Sequence, residues 1–198
     1  MREPTPDEAL RARWNRRHAE STRPPTAAEV LADNRHLLPV TGRALDLACG
    51  LGGNALLLAA EGLDTRAWDL SDVAIDRLHR QAAAAGLALE ATVRDVIAEP
   101  PPPASCDVIV VSWFLERSLA PALVAALRPG GLLFYQTFTR NKRDQIGPDN
   151  PAFLLAEGEL LRLFGALRPR VYREEGRLGR LETGSRNAAQ LIAEKVSS

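Results

Sequence analysis

Three aspartates follow short apolar runs in the first half of the chain. Asp46 lies in LDLACGLGG (45–53), where glycines follow within a few residues, and Asp69 and Asp95 close two later runs. The carboxyl ends of parallel strands meet at one edge of an open α/β sheet, and ligands bind there. Their spacing therefore predicts one ligand site to which all three carboxylates contribute.

The glycine turn after Asp46 can bring a ligand against the main chain. Gly50 and Gly52 lack a Cβ, and amides at the start of the following helix would point toward the ligand. Asp69 follows about 20 residues later, where a carboxylate can bind ribose hydroxyls. A nicotinamide dinucleotide fits the G-x-G-x-x-A pattern of residues 50–55, and S-adenosylmethionine fits a site containing Asp46. A carboxylate at position 46 repels pyrophosphate but attracts an ammonium or sulfonium group, which favours S-adenosylmethionine.

Apolar runs alternate with helical patterns from Ala44 onward, which predicts a parallel sheet covered by helices on both faces. Four consecutive prolines, Pro100–Pro103, predict an extended tether in place of the third crossover helix. The last two strands are predicted to form an antiparallel hairpin at the edge of the sheet. The predicted strands are ALDLAC (44–49), TRAWDL (65–70), LEATVRDV (89–96), CDVIVVSWF (106–114), GLLFYQTF (131–138), RPRVYREE (168–175) and AAQLIAEKV (188–196).

Helix signals accompany these strands. Ser71 is a predicted N-cap and Gly86 the stop of the same helix, while Pro129-Gly130-Gly131 should end a later helix and begin the fifth strand. Thr26 and Glu29 have the spacing of a capping box. The predicted helices are 6–20, 26–38, 53–62, the segment between Ser71 and Gly86, 119–128 and 157–165.

Composition excludes several classes of partner. The 25 basic and 25 acidic residues cancel, so there is no overall field to attract nucleic acid or an anionic membrane. The first ten residues carry charges where a signal peptide would be apolar, and no run is long enough to span a bilayer. We therefore expect a cytoplasmic protein in which Cys49 and Cys106 are reduced core thiols.

The run LDLACGLGG resembles the first motif of class I S-adenosylmethionine-dependent methyltransferases, usually D-x-G-x-G-x-G. Asp69 stands at the second motif, Arg94-Asp95-Val96 at the third, and LRPGG (127–131) at the turn before the fifth strand. The spacing of Trp14 and His18 and the sequence Asp-Leu-Ser at 69–71 are similar to the tellurite-resistance and thiopurine-methyltransferase-like branch. Ala48 replaces the first glycine of the motif, and its methyl group is tolerated if the residue has a negative φ.

This resemblance implies one domain over residues 1–198, with an N-terminal helical lid (1–38) and a sheet core (40–198). The core would be a Rossmann-like, mostly parallel sheet of seven strands with an antiparallel last strand. The implied cofactor is S-adenosyl-L-methionine, with no metal. The implied cofactor residues are Asp46, Ala48, Gly50 and Gly52 for the methionyl part, Asp69 for ribose, Leu70, Asp95 and Val96 for adenine, and Ser112 and Trp14 beside them; Trp113, Phe114 and Arg140 would contact the acceptor.

Other interpretations of these residues stay open. Asp46 could be a turn or helix-start acid, Asp69 could cap the helix that Ser71 begins, and Asp95 could be a solvated strand-end acid. Trp14 and His18 share a helix face that either covers the cofactor or docks the helix. Trp113 and Phe114 could be core residues. The basic run 140–144 could be a solvated face or a lid that orients an acidic or electron-rich acceptor.

Methyl transfer from a sulfonium is an in-line displacement, so alignment and desolvation matter most and no nucleophilic side chain is required. A soft sulfur, selenium or tellurium acceptor needs no general base. For a hydroxyl or amine acceptor the candidate bases are His18, Tyr135 and Glu116, although Glu116 could form a surface pair with Arg117. Tyr135 and Gln136 would point to opposite faces of the fifth strand.

The D/N-P-P-Y signature of nucleobase amino methylation is absent, which with the neutral charge argues against a nucleic-acid substrate. The sequence thus predicts a methyltransferase for a small-molecule acceptor. The alternatives are a nicotinamide-dependent oxidoreductase and a non-catalytic S-adenosylmethionine-binding protein.

Overall fold

The computed structural model describes residues 5–196, and within them the strands form one seven-stranded sheet. Their bounds are β1 Arg43–Leu47, β2 Asp64–Asp69, β3 Glu90–Val93, β4 Cys106–Ser112, β5 Leu127–Phe138, β6 Arg168–Arg173 and β7 Ala188–Glu194. The spatial order is β3-β2-β1-β4-β5-β7-β6. The first five strands are parallel to one another, while β7 is antiparallel to both β5 and β6. The predicted fold class and the terminal hairpin are confirmed.

The α-helices of the described residues are α1 Pro6–Glu20, α2 Glu29–Ala32, α3 Gly53–Ala60, α4 Asp72–Ala85, α5 Ala120–Ala126 and α6 Glu159–Leu163, with 3-10 turns at Arg35–Leu37, Arg117–Leu119 and Pro151–Phe153. The predicted caps of α4 are confirmed: Ser71 Oγ accepts from the Ala74 amide, and Gly86 is left-handed. No helix lies between β3 and β4, as the prolines predicted. Among the described residues, no helix has the length and apolarity needed to cross a bilayer.

The helices cover both faces of the sheet because alternate residues of the central strands point in opposite directions. Val108 and Val110 of β4 pack with Leu58 of α3 and with Val30 and Leu31 of the N-terminal segment. The intervening β4 residues form a second cluster with residues of α5 and α6, which includes Ile109, Val111, Leu123 and Leu160.

Two predicted N-terminal features are wrong. The segment 26–38 is the four-residue α2 followed by a 3-10 turn, and the capping box at Thr26 and Glu29 does not form. Ala28 is the N-cap of α2, without a side-chain cap, and Thr26 Oγ1 donates to the Pro24 carbonyl. A capping box instead starts α1 at Thr5 and Glu8.

Several predicted boundaries also shift. Strand β5 begins at Leu127, before Pro129-Gly130-Gly131, and Leu127 pairs with Cys106 across a register shift. Strand β3 ends at Val93, and β4 ends at Ser112 because Trp113 has a φ of +59°. A residue in the left-handed region cannot continue a strand. Trp113 and Phe114 therefore lie beyond β4 and not inside it.

Candidate functional site

The Asp46 carboxylate is buried at the end of β1. Asp46 has no exposed surface, one oxygen accepts from Asn54 Nδ2 at 3.2 Å, and the other accepts from the Ala55 amide at 3.0 Å. Burial raises the pKa of Asp46 to about 7, although both hydrogen bonds oppose the shift. The structure thus shows the helix-start role that the sequence left open. Because these two partners are neutral, a bound cation beside Asp46 would offset the penalty of ionising it.

The turn after Asp46 contains three left-handed residues and lies close to neighbouring side chains and backbone. Ala48, Gly50 and Gly52 have φ values of +55°, +52° and +80°, so the condition of a negative φ at Ala48 is not met. A Cβ at Gly52 would lie 2.3 Å from Leu78 Cδ1, and one at Gly53 would lie 2.3 Å from the Thr26 carbonyl oxygen. These two glycines are required by contacts within the protein.

Asp69 joins the end of β2 to the same turn. One of its carboxylate oxygens accepts from the Gly50 amide and the other from the Ser71 amide, both at 2.8 Å. Asp69 therefore supports the start of α4, as the alternative interpretation allowed, and also fixes the middle of the glycine turn. Its side chain is nearly buried, at 8% exposure.

The third aspartate, Asp95, lies two residues after β3 and bonds the turn that follows it. Asp95 Oδ1 accepts from the amides of Ile97 and Ala98, at 2.9 and 3.2 Å, and so stabilises the turn after β3. The Val96 side chain packs in the core with Trp68, while Leu70 is half-buried. The Arg94 guanidinium lies 4.0 Å from the centre of the Trp68 ring, a cation–π contact that the sequence analysis missed.

Helix α1 is held against α4 by polar contacts. Asn15 accepts from Ser71 Oγ at 2.7 Å and donates to Asp72 at 2.6 Å, and Arg77 donates to the carbonyls of His18 and Ser21. These hydrogen bonds agree with the interpretation in which α1 docks on the domain.

The same helix also reaches the glycine turn. The Trp14 and His18 rings are stacked with centroids 5.9 Å apart, and His18 Cε1 would lie 3.4 Å from a Cβ at Gly50. Burial lowers the pKa of His18, although Asp69 opposes the shift. His18 therefore lies beside the glycine turn, and the covering role of Trp14 and His18 stays a prediction.

Asn54 connects more parts of this site than any residue that the sequence analysis named. Its Nδ2 donates to Asp46 and, at 2.9 Å, to Ser112 Oγ, while its Oδ1 accepts from the Ala28 amide at 2.8 Å. Gln136 Oε1 likewise accepts from the Val30 amide at 2.8 Å. The one sequence signal was a polar residue among apolar ones at the start of α3.

An aromatic surface follows the ends of β4 and β5. Trp113 is 47% exposed, its amide donates to the Gln136 carbonyl at 2.8 Å, and its ring lies 4.6 Å from that of Phe138. Ser112, which precedes it, bonds Asn54 on the side of Asp46. Phe114 instead packs against the core. Of the two predicted aromatic acceptor residues, Trp113 thus has the accessible ring.

Two of the three candidate bases have engaged polar atoms. The Tyr135 hydroxyl is buried, donates to the Phe114 carbonyl at 3.0 Å, and has its pKa raised by burial. Glu116 Oε1 accepts from the amide and hydroxyl of Ser118. The surface pair of Glu116 with Arg117 is not formed, because Arg117 instead pairs with Glu159 at 2.6 Å.

The cations of the basic run are also largely engaged. Lys142 Nζ donates to the carbonyls of Ile146 and Pro148, at 2.7 and 2.8 Å, and Arg143 pairs with Asp144 at 2.8 Å. Arg140 is exposed. The apparent positive surplus of this run is therefore used mainly to fold the loop itself.

Comparison with known proteins finds similarity to methyltransferases. Residues 44–131 match the family described as "Methyltransferase domain". A ubiquinone biosynthesis O-methyltransferase of Burkholderia vietnamiensis (strain G4 / LMG 22486) is 32% identical over 127 residues, which cover 59% of this chain and 54% of that protein. The chain thus spans about half the length of the curated relatives that it matches.

Solved structures show the fold at low sequence identity. TehB from Haemophilus influenzae superposes with a TM-score of 0.71 at 21% identity, over 92% of this chain and 67% of that one. A geranyl diphosphate C-methyltransferase from Streptomyces coelicolor A3(2), crystallised with S-adenosyl-L-homocysteine, has a TM-score of 0.68 at 15% identity, over 98% of this chain and 100% of that one. The [4+2]-cyclase SpnF has the same TM-score at 17% identity, over 98% and 97%, so the fold alone does not decide the reaction.

Proposed function

We propose that this chain, whose residues 44–131 match the family described as "Methyltransferase domain", transfers a methyl group from S-adenosylmethionine to a small-molecule acceptor. The predictions of family and of S-adenosyl-L-methionine as cofactor are confirmed. The tellurite-resistance and thiopurine-methyltransferase-like branch stays a prediction, and so does a cytoplasmic location.

One observation carries this proposal: the buried Asp46 carboxylate ends a strand beside a left-handed turn and has neutral hydrogen-bond partners. Such a carboxylate is complementary to a ligand with ammonium and sulfonium groups, whereas it would repel a pyrophosphate. The cofactor supplies an electrophilic methyl group on its sulfonium sulfur. The residues of the chain orient that ligand and exclude water.

The predicted binding residues are retained as proposals with the roles that their positions allow. Asp46 and the turn through Ala48, Gly50 and Gly52 would hold the methionyl part, and Asp69 the ribose. Leu70, Asp95 and Val96 would lie at the adenine, Trp14 would cover the cofactor from α1, and Ser112 would separate donor from acceptor. Trp113, Phe114 and Arg140 would contact the acceptor.

Two acceptor classes remain within this proposal. A soft sulfur, selenium or tellurium nucleophile needs no general base, in line with the engaged Tyr135 and Glu116. An oxygen acceptor is supported by the name of the curated relatives, which are O-methyltransferases. Of the three candidate bases, His18 would serve such an acceptor best, because burial lowers the pKa of its half-buried ring, which favours the neutral form that can accept a proton.

Calorimetric titration tests the donor half of the proposal. S-adenosylhomocysteine and S-adenosylmethionine should bind, and NAD should not, because Asp46 repels phosphate oxygens. Tight NAD binding with no response to S-adenosylhomocysteine would establish the oxidoreductase alternative. If S-adenosylhomocysteine binds but a panel of thiols, selenite, tellurite and phenols gives no methylated product, the non-catalytic alternative is favoured.

A further inference from the structure

We infer, resting on the proposed function, that the acceptor is a planar aromatic molecule that stacks on Trp113 and presents an ionised oxygen or sulfur on its ring. Small oxyanions such as selenite and tellurite are thereby the wrong class of acceptor. The inference rests on the backbone of Trp113, on the surfaces next to its ring and on the engaged cations around them.

The main chain at Trp113 has an energetically unfavourable conformation. Its φ of +59° lies in the left-handed region, which costs a non-glycine residue about 1–2 kcal/mol. The hydrogen bond to the Gln136 carbonyl and the contact with Phe138 hold this conformation. Strain of this kind in an exposed aromatic residue is typical of functional positions. A core tryptophan would be buried, whereas this ring is 47% exposed.

The Trp113 ring is also close to the site proposed for the methyl donor. Ser112 precedes Trp113 and bonds Asn54 at 2.9 Å, and Asn54 bonds the Asp46 carboxylate. Strands β1 and β4 are neighbours in the sheet, with Leu47 opposite Val111. A molecule lying on Trp113 would therefore be beside the end of β1, where the donor is proposed to bind.

The residues next to the Trp113 and Phe138 rings are also apolar. The loop that holds Ile146 and Gly147 packs on Phe138, since a Cβ at Gly147 would lie 2.7 Å from the Phe138 ring. Ile146 in this loop is 48% exposed. Phe153 is equally exposed and lies two residues before Leu155, whose amide donates to the Phe138 carbonyl at 2.9 Å. Exposed aromatic and aliphatic side chains at one edge favour a ligand with apolar faces.

The nearby cations leave little to recognise an oxyanion. Lys142 donates to two main-chain carbonyls, Arg143 pairs with Asp144, and Arg117 pairs with Glu159. Arg117 also donates to the carbonyls of Ala152 and Leu154. Arg140, the remaining cation of residues 139–150, is exposed to water, where screening weakens its attraction.

An aromatic acceptor also suits the chemistry. Its proton leaves to solvent before transfer, because delocalisation into the ring stabilises a phenolate or aryl thiolate. A lone pair of that oxygen or sulfur then attacks the methyl carbon, and the bond from carbon to the sulfonium sulfur breaks with its electron pair remaining on sulfur. Both charges are lost, and the products are a methyl ether or thioether and S-adenosylhomocysteine.

The test compares acceptors and variants in the full chain. Substituted phenols and thiophenols are assayed beside selenite and tellurite for S-adenosylhomocysteine release. We expect turnover of aromatic acceptors, a KM about tenfold higher in Trp113→Ala, since an aromatic contact contributes about 0.5–1.5 kcal/mol beyond its burial, and kcat within about twofold of the original protein. Trp113→Phe should retain most of the affinity. Leu178→Ala, which removes another exposed side chain, is the matched control.

Two turnover results overturn the inference while leaving the proposed function intact. One is turnover of selenite or tellurite without aromatic turnover, and the other is an aromatic KM that Trp113→Ala leaves unchanged. If no acceptor is turned over, equilibrium binding of the same aromatic panel to the S-adenosylhomocysteine complex decides, and binding independent of Trp113 overturns the inference. Failure to bind S-adenosylhomocysteine at all would contradict the proposed function itself.

Discussion

At the ends of β1, β2 and β3 each aspartate accepts hydrogen bonds from main-chain amides, whereas the surface beyond β4 and β5 is formed by the rings of Trp113 and Phe138. Asp46 accepts from Ala55, Asp69 from Gly50 and Ser71, and Asp95 from Ile97 and Ala98. We call these two regions the donor edge (the ends of β1–β3) and the aromatic edge (the ends of β4 and β5).

The difference follows from what each edge is proposed to bind. Carboxylates fixed by amides keep their charges in place, which suits a ligand whose charges never vary. Aromatic rings recognise shape and apolar area with little directional demand, which suits a class of acceptors. Asn54 bonds both Asp46 and Ser112, so it joins the two edges. The predictions below test whether the edges act independently.

The largest effect is expected from removing the charge of the donor edge with Asp46→Asn. At pH 8 this change should weaken binding of S-adenosylmethionine by about 100-fold, since a hydrogen bond to a charged group is worth up to about 3 kcal/mol. Titration calorimetry measures the affinity. Unchanged affinity would remove the main support for the donor edge, and circular dichroism checks that the variant is folded.

The same pair of proteins gives a pH dependence with a definite sign. The pKa of Asp46 is raised to about 7 in the folded protein, so the unfolding free energy falls as pH rises from about 4 to about 7. A bound cation favours the ionised form. Donor affinity should therefore rise with pH, by up to about tenfold per unit, and level off above pH 7. Asp46→Asn retains His18, so any dependence that this variant loses belongs to Asp46.

An intermediate effect is expected from Asn54→Ala, which disconnects the two edges. The Ala28 amide and Ser112 hydroxyl lose a partner, at about 1–3 kcal/mol for each buried group left unsatisfied. S-adenosylhomocysteine should bind several-fold more weakly, and trypsin should cleave faster at the arginines of residues 11–23 as the N-terminal segment loosens.

The matched control is Gln190→Ala, which removes another buried amide that contacts the N-terminal segment, through Glu29. It should lower stability without changing donor affinity, because Gln190 bonds no residue of the donor edge. Equal losses of affinity in both variants would mean that Asn54 acts through general stability.

The smallest effect is expected at Ala48, the left-handed alanine of the donor edge. Ala48→Gly should change the free energy of unfolding by less than about 1 kcal/mol, because relief of a left-handed alanine is offset by the greater entropy of glycine in the unfolded chain. Urea denaturation measures it. Ala83→Gly in α4, where φ is helical, should instead destabilise by about 0.5–1 kcal/mol; similar destabilisation by both would show that Ala48 is not strained.

Features that depend on residues close in sequence could be predicted from the sequence. Ser71 and Gly86 bound α4 as expected, and the order of strands and helices follows from alternating apolar runs. The start of β5 could not be predicted in this way, because Leu127 enters the strand by pairing with Cys106, which is distant in the chain. The capping box at Thr26 failed for a similar reason, since the Ala28 and Val30 amides bind Asn54 and Gln136.

In the candidate site, too, local features could be predicted from the sequence and contacts between distant residues could not. The sequence by itself determined that three acids and a glycine turn end neighbouring strands, because periodicity and turn chemistry act over a few residues. Only the tertiary structure decided that Asn54 connects Asp46 to Ser112, that Arg117 pairs with Glu159, and that the Trp113 ring is exposed beside Phe138. Each of these contacts joins residues that only packing of the sheet and its loops brings together, and no local pattern encodes such a partner.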